Sequence, residues 1–112
     1  MAVPSGMDAL ADIWSIGGGG AEALDDITLT GEDPALPSIF RVGTVAQATI
    51  GAASLATAEV WRARTGQRQR VSLSMRDAAV SFRSELYTHI VGKPREEHWA
   101  DVSGYYKTRD DR

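Results

Sequence analysis

The stretch Val45–Arg64 constrains this chain most, because it is rich in alanine, has no proline and contains one glycine, Gly51. Such a composition favours a single long helix, roughly 30 Å from end to end. Thr44 and Gln47 fit a Thr-x-x-Gln capping box at its start, and Gly66 fits a C-cap glycine at its end. Apolar side chains run almost all the way round its first four turns, which predicts a helix buried on most sides.

A short strand and a second helix are predicted to follow. Apolar and polar residues alternate within 69–75, which is typical of a strand with one buried face. Ser74 and Asp77 fit a Ser-x-x-Asp cap that begins an amphipathic helix, and Gly92 fits its end. The apolar stripe of this helix is predicted to consist of Ala78, Ala79, Phe82, Leu86 and Ile90.

The segment 1–39 is predicted to hold short helices and a linker rich in glycine and proline. Residues 7–15 place apolar side chains at helical spacing, and residues 21–27 fit a further helical turn. The four consecutive glycines at 17–20 carry a large backbone entropy, and we interpret them as a flexible linker. A phosphate cradle is the alternative, but no Gly-Lys-Ser/Thr follows them. A loop is predicted to open at residues 28–31.

The segment 93–112 is predicted to begin a β segment, because residues 98–112 combine aromatic side chains with a turn at Asp110. A strand that ends at its turn leaves its ladder groups unpaired. We therefore expect the chain to be a piece of a longer protein. Residues 40–92 are predicted to form a helix–strand–helix unit. The fold class predicted for the whole chain is a mostly helical α/β fragment.

Composition excludes several classes of site. The chain has no cysteine, which excludes a thiol nucleophile and every cysteine-based zinc site, and its two histidines, His89 and His98, have no acidic partner at ligand spacing. We predict no metal site. The serines lack a Gly-x-Ser-x-Gly elbow. The longest uncharged apolar stretch has 14 residues, too few to span a bilayer, and we expect a cytoplasmic protein that does not bind membranes.

Charge is unevenly distributed along the chain. Residues 1–56 hold one base and seven acids, whereas residues 57–112 hold eleven bases and eight acids. The second half can attract an anionic ligand, or the two halves can form solvated faces of one domain; both interpretations stay open. The same alternatives hold for a cluster of arginines, which could bind phosphates or lie on plain surface. Its members are Arg62, Arg64, Arg68, Arg70 and Arg76.

A family resemblance rests on residues 58–78, which read AEVWRARTGQRQRVSLSMRDA. An alanine-rich helix leads into an Arg-x-x-Thr-Gly turn at 62–66, then a Val-Ser-Leu-Ser strand, then a Met-x-Asp-Ala helix start at 75–78. This order resembles the signature of the family III CoA-transferases, which include formyl-CoA transferase, carnitine CoA-transferase and alpha-methylacyl-CoA racemase. The resemblance covers residues 40–90, and the later Gly-Lys-Pro and Gly-Tyr-Tyr-Lys-Thr are similar to the lead-in to the family's smaller domain.

The resemblance implies a mechanism in which an aspartate attacks an acyl-CoA thioester and forms a mixed anhydride, then an aspartyl-CoA thioester. That aspartate follows a glycine, 21 residues before the threonine of the turn. Here Thr44 occupies the position, after Gly43, and Arg68 replaces the second glycine of the turn. A threonine cannot replace the carboxylate in this chemistry. The chain is thus predicted to have no catalytic residue and to match the degenerate first copy of the segment that some longer members carry.

The resemblance also implies coenzyme A or acyl-CoA as the ligand, a Rossmann-like fold and an interlocked dimer. Met75 matches a family position near the bound CoA, and Arg62 and Arg70 are the candidate phosphate contacts. Two functions follow as hypotheses. The chain is part of a CoA-transferase or related racemase, or it is a non-catalytic module whose exposed helix serves oligomerisation or packing. A nucleic-acid binder is disfavoured by the acidic pI of about 5.3.

Overall fold

The computed structural model describes residues 3–94 and 102–110 of the chain, and its fold is mixed α/β. A short two-stranded parallel sheet is combined with three α-helices and two 3₁₀ helices. In chain order the elements are α1 (Gly6–Ile16), a 3₁₀ helix (Ala21–Asp26), β1 (Ile27–Thr30), α2 (Val42–Thr65), β2 (Val71–Ser74), α3 (Met75–Ser81) and a second 3₁₀ helix (Ser84–Leu86). The predicted fold class is therefore confirmed.

A β1–α2–β2 crossover forms the centre of the fold. The two strands run parallel, with Ile27 opposite Val71 and Thr30 opposite Ser74. Parallel strands need a crossover of a dozen or more residues, which α2 supplies. The prediction of a loop at residues 28–31 was wrong, because residues up to Thr30 form β1. The strand pairs with a segment more than forty residues away, which no local pattern reveals.

Helix α2 confirms the predicted long helix, but its start differs from the prediction. It begins at Val42, and Thr44 lies inside its first turn, so the Thr44–Gln47 capping box is wrong. A side chain from outside the helix, Asp33, accepts the backbone N–H groups of Gly43 and Thr44 instead. At the other end Gly66 adopts φ 74° and its N–H donates to the carbonyl of Arg62, as a C-cap glycine should.

Burial of α2 is confined to one face of its first half. The buried residues of the helix end at Leu55, whereas Val60 and Trp61 are 52% and 46% exposed. The prediction of a helix buried on most sides was thus wrong, because the first turns also expose one side, with Val45 55% exposed. Within the described residues, α1, α3 and the sheet supply most of the contacts that α2 makes. The core cluster consists of Leu10, Ala23, Ile27, Ala48 and Leu55.

Helix α3 begins as predicted and ends earlier. The Ser74 hydroxyl accepts the backbone N–H of Asp77 at 3.0 Å, which confirms the predicted cap. The α-helix stops at Ser81, so the predicted stripe is not one helical face, and Phe82, Leu86 and Ile90 are 43%, 38% and 62% exposed. A helix depends on burying its apolar face for most of its stability. The described residues after Ser81 bury little of their apolar surface.

The N-terminal glycines pack around an aromatic ring. Trp14 lies near the end of α1, and its indole N–H donates to the carbonyl of Gly20 at 2.9 Å. The Gly19 N–H donates to the Trp14 carbonyl, and a Cβ at position 19 would overlap the indole. Residues 17–20 therefore form a close turn instead of the predicted flexible linker, and no phosphate cradle is needed to explain them.

The C-terminal segment shows no strand over residues 102–110, which form turns, a bend and irregular chain. His98 and Trp99, on which the predicted β segment partly depends, lie outside the described residues.

Candidate functional site

The candidate site lies at the carboxyl edge of the sheet, where β1 and β2 end beside the start of α2. In open α/β folds this edge is the usual place for ligands. Thr30 and Ser74 end the two strands at the same register, and Gly31 and Met75 follow them. Thr44, at whose position the resemblance implies a catalytic carboxylate, lies in the first turn of α2, at the same edge. Its hydroxyl contacts Asp33.

The carboxylate of Asp33 occupies the N-terminus of α2. Its Oδ1 accepts the Gly43 N–H at 3.0 Å, and its Oδ2 accepts the N–H and hydroxyl of Thr44 at 2.9 and 2.6 Å. The Arg41 Nε lies 3.6 Å from Oδ2. A negative charge here is stabilised both by free N–H groups and by the helix dipole.

These contacts keep Asp33 ionised. Partial desolvation alone would raise the pKa of its carboxyl group, but the hydrogen bonds from Thr44, Ala35 and Gly43 outweigh it and hold the pKa below the ordinary value of 3.8. Both oxygens of the carboxylate are thus occupied by donors. A carboxylate whose charge is stabilised in this way is a weak nucleophile.

Met75 is buried under the same edge, with 3% of its surface exposed. A Cβ at Gly43 would lie 2.6 Å from the Met75 sulfur, and a Cβ at Gly31 would lie 3.2 Å from the Met75 Cβ. Two glycines therefore allow the methionine to fit between the strand end and α2. The residue predicted to contact CoA has little surface available to a ligand in this conformation.

Gln47 joins the two strands at this edge. Its side chain is 2% exposed, and its Nε2 donates to the carbonyls of Thr30 at 2.8 Å and Leu73 at 3.2 Å. One amide on α2 thereby holds the carboxyl ends of β1 and β2 together. Predicted as a capping residue, Gln47 in fact fixes the spacing of the sheet below the site.

Arg70 lies at the opposite end of β2, just before the strand begins. It lines an open groove of about 410 Å³ together with Trp61 and polar side chains of α2. The remaining lining residues are Ser54, Thr57, Ala58, Gln69 and Val71. A cation beside an exposed indole ring is a surface on which a phosphate or a planar ring could bind.

Arg62 lies elsewhere, on the side of α2 that faces the first 3₁₀ helix. Its Nε and Nη2 donate to the carboxylate of Glu59, at 2.7 Å for the shorter Nη2 bond. This hydrogen bonding lowers the pKa of Glu59 and raises that of Arg62. Arg68 is paired with Asp26 in the same hollow, which Glu22 also lines. A phosphate near Arg62 would therefore meet three carboxylates.

The structure does not bring the three predicted ligand contacts together. Five residue steps along β2 separate Arg70 from Met75, roughly 16 Å of extended chain, and Arg62 belongs to a separate ion-pair cluster. Sequence reasoning missed Asp33 entirely. Its only local signal is an aspartate before a proline in a loop, which predicts a turn but gives no indication that the carboxylate reaches α2.

The part of the chain that the structure describes holds no cluster of three or more His, Asp or Glu residues able to bind a metal ion. No helix among residues 3–94 and 102–110 is long and apolar enough to cross a membrane.

Comparison of the chain with models of protein families, with curated proteins and with solved structures found no match in any of the three.

Proposed function

We propose that this chain is a segment of a family III CoA-transferase, or of a related racemase, that contributes structure without a catalytic carboxylate of its own. The observation that carries the proposal is Thr44, which lies in the first turn of α2 at the carboxyl edge of a parallel β–α–β unit. Its hydroxyl donates to Asp33 at 2.6 Å. The residue thus stands where the family resemblance requires an aspartate, and it has a structural role.

The chemistry of the groups around Thr44 supports a site without catalytic activity. A threonine hydroxyl stays protonated at neutral pH, and activating it requires an adjacent general base. The adjacent carboxylate, Asp33, is ionised but is occupied by several donors. A cytoplasmic location is part of the proposal. The chain's proposed ligand is acyl-CoA. Its proposed partner is another copy of this chain or the remainder of a longer chain.

A non-catalytic packing module is the second candidate, and the exposed second half of α2 favours it. Val60 and Trp61 are half exposed on a helix whose first half is buried on one face. In the described residues each strand pairs on one side only, so both outer edges of the sheet can accept another strand. This candidate requires no CoA binding.

Titration with CoA separates the two candidates and tests the arginine assignment. We expect Arg70→Ala to weaken CoA binding by roughly three- to tenfold at low ionic strength, and by less in 0.5 M salt, because an exposed phosphate contact is screened. Arg62→Ala is the matched control, since its guanidinium is already hydrogen-bonded to Glu59. We expect this control to change the Kd less than twofold.

Calorimetry on the full chain and both variants gives the three dissociation constants. Equal weakening by both substitutions would contradict the assignment to Arg70. If the folded chain binds no CoA at millimolar concentration, the CoA-binding part of the proposal fails and the packing module becomes the better account.

A further inference from the structure

We propose that residues 31–41 form a lid over the carboxyl edge of the sheet and that Asp33 is its latch. The lid is the connection between β1 and α2, and the structure describes all of it. Beneath it lie Met75 and the first N–H groups of α2. This inference does not depend on the proposed function, because it concerns access to the edge whether or not CoA binds there.

The lid is held by polar contacts. Asp33 accepts three hydrogen bonds from Gly43 and Thr44, and Arg41 pairs with Asp33 from the end of the lid. The Arg41 Nη1 also donates to the carbonyl of Pro4 at 2.5 Å, which ties the lid to the chain before α1. All of these contacts except the bond to Pro4 converge on the Asp33 carboxylate.

Apolar burial contributes little to holding the lid closed. Ile39 and Phe40 are 94% and 74% exposed, and Leu36, which lines a hollow beside α3, is still 41% exposed. A segment anchored by a few hydrogen bonds and little buried apolar surface opens at a low cost relative to global unfolding. The hydrogen bonds of Asp33 therefore determine how often the lid opens.

Opening would expose a defined set of groups. The Met75 side chain, 3% exposed when the lid is closed, would lose its lid neighbours Gly31 and Asp33, the second of which lies beside Gly43 as the Met75 sulfur does. The N–H groups of Gly43 and Thr44 would lose their carboxylate partner. In the closed conformation Met75 has little surface that a ligand could contact. The lid therefore controls access to the predicted contact residue.

Oxidation of Met75 measures the opening directly. The full chain is exposed to dilute hydrogen peroxide, and the oxidised fraction of Met75 is followed by peptide mass mapping, with the less buried Met7 as an internal reference. In Asp33→Asn the new amide group would turn an N–H donor toward the donors of α2. We expect Met75 to be oxidised roughly tenfold faster or more, the scale of losing hydrogen bonds to a charge.

Two further variants are compared with Asp33→Asn, one that removes another lid contact and one that serves as a control. Arg41→Ala removes the second anchor, and we expect it to raise the oxidation rate of Met75 roughly two- to fivefold. Asp26→Asn is the matched control, because it removes an ion-paired carboxylate at a distant position while leaving the lid intact. We expect Met75 to stay as protected in this control as in the unchanged chain.

The dependence on urea distinguishes lid opening from general unfolding. Local opening exposes little surface, so the accelerated oxidation in Asp33→Asn should stay constant in low urea, well below the unfolding midpoint measured by circular dichroism. The proposal is overturned if Asp33→Asn leaves the oxidation rate unchanged. It is also overturned if the rate rises steeply with urea in parallel with global unfolding, because Asp33 is then an ordinary helix cap.

Discussion

Replacing Leu55 with alanine is expected to lower the free energy of unfolding of this chain by about 2–5 kcal/mol. Leu55 is fully buried where α2 meets the rest of the core, in a cluster with Leu10 and Ile27. Two of the five buried members of that cluster are alanines, so the large side chains carry most of its apolar area. Urea unfolding followed by circular dichroism gives the change.

Val60→Ala is the control for this experiment. The residue lies on the same helix but is 52% exposed, so the substitution should change the free energy of unfolding by less than about 1 kcal/mol. Loss of all cooperative unfolding in Leu55→Ala also agrees with the account, because small domains have only about 5–15 kcal/mol in total. Equal effects at the two positions would mean that the first half of α2 is not the centre of the core.

Gly43→Ala is expected to destabilise the chain by about 1–3 kcal/mol, although alanine is the better helix former. A Cβ at this position would overlap the Asp33 carboxylate and lie 2.6 Å from the Met75 sulfur. The substitution must therefore displace the cap of α2, the methionine or both. Urea unfolding measures the loss, and faster oxidation of Met75 should accompany it.

Gly51→Ala tests the same substitution in the same helix with room for the side chain. A Cβ at Gly51 would lie 3.4 Å from the Ile27 Cδ1 and 3.5 Å from the Leu10 Cδ1, which is ordinary van der Waals contact. We expect a change between zero and about 1 kcal/mol of stabilisation, from the higher helix propensity of alanine. If Gly43→Ala is as well tolerated as Gly51→Ala, the close packing around position 43 is not as described.

Local patterns predicted the elements that depend on local contacts. The composition of 45–64 and Gly66 sufficed for the body and end of α2, because both depend on residues within one turn of each other. The alternation before Ser74 predicted β2, and the Ser-x-x-Asp spacing predicted the start of α3. The mixed α/β class followed from these elements.

Features that depend on distant partners were not predictable in this way. β1 pairs with a strand more than forty residues later, and Asp33 accepts a hydrogen bond from Gly43, ten residues further along the chain. Gln47 has the spacing of a capping residue, yet its amide spans two strand carbonyls. Each of these features depends on a partner far along the chain, which local spacing does not reveal. The candidate ligand contacts were also not predictable from local spacing. They are close together in the sequence, but the fold separates them.

Our central proposal is that this chain is part of a CoA-transferase and has no nucleophile of its own. Incubation of the chain with an acyl-CoA, followed by intact-mass measurement, tests it most directly. A reactive carboxylate would attack the thioester carbonyl and displace the CoA thiolate to give a mixed anhydride. Attack of the thiolate on the protein carbonyl would then release the acyl carboxylate and add the mass of CoA less one water.

We predict an unchanged mass for this chain, with a family member that carries the aspartate as the positive control. The hydrogen bonds that Asp33 accepts from Gly43 and Thr44 are the physical reason. An adduct of CoA less one water, mapped to Asp33 or to any other carboxylate of the chain, would show a working nucleophile and contradict the account.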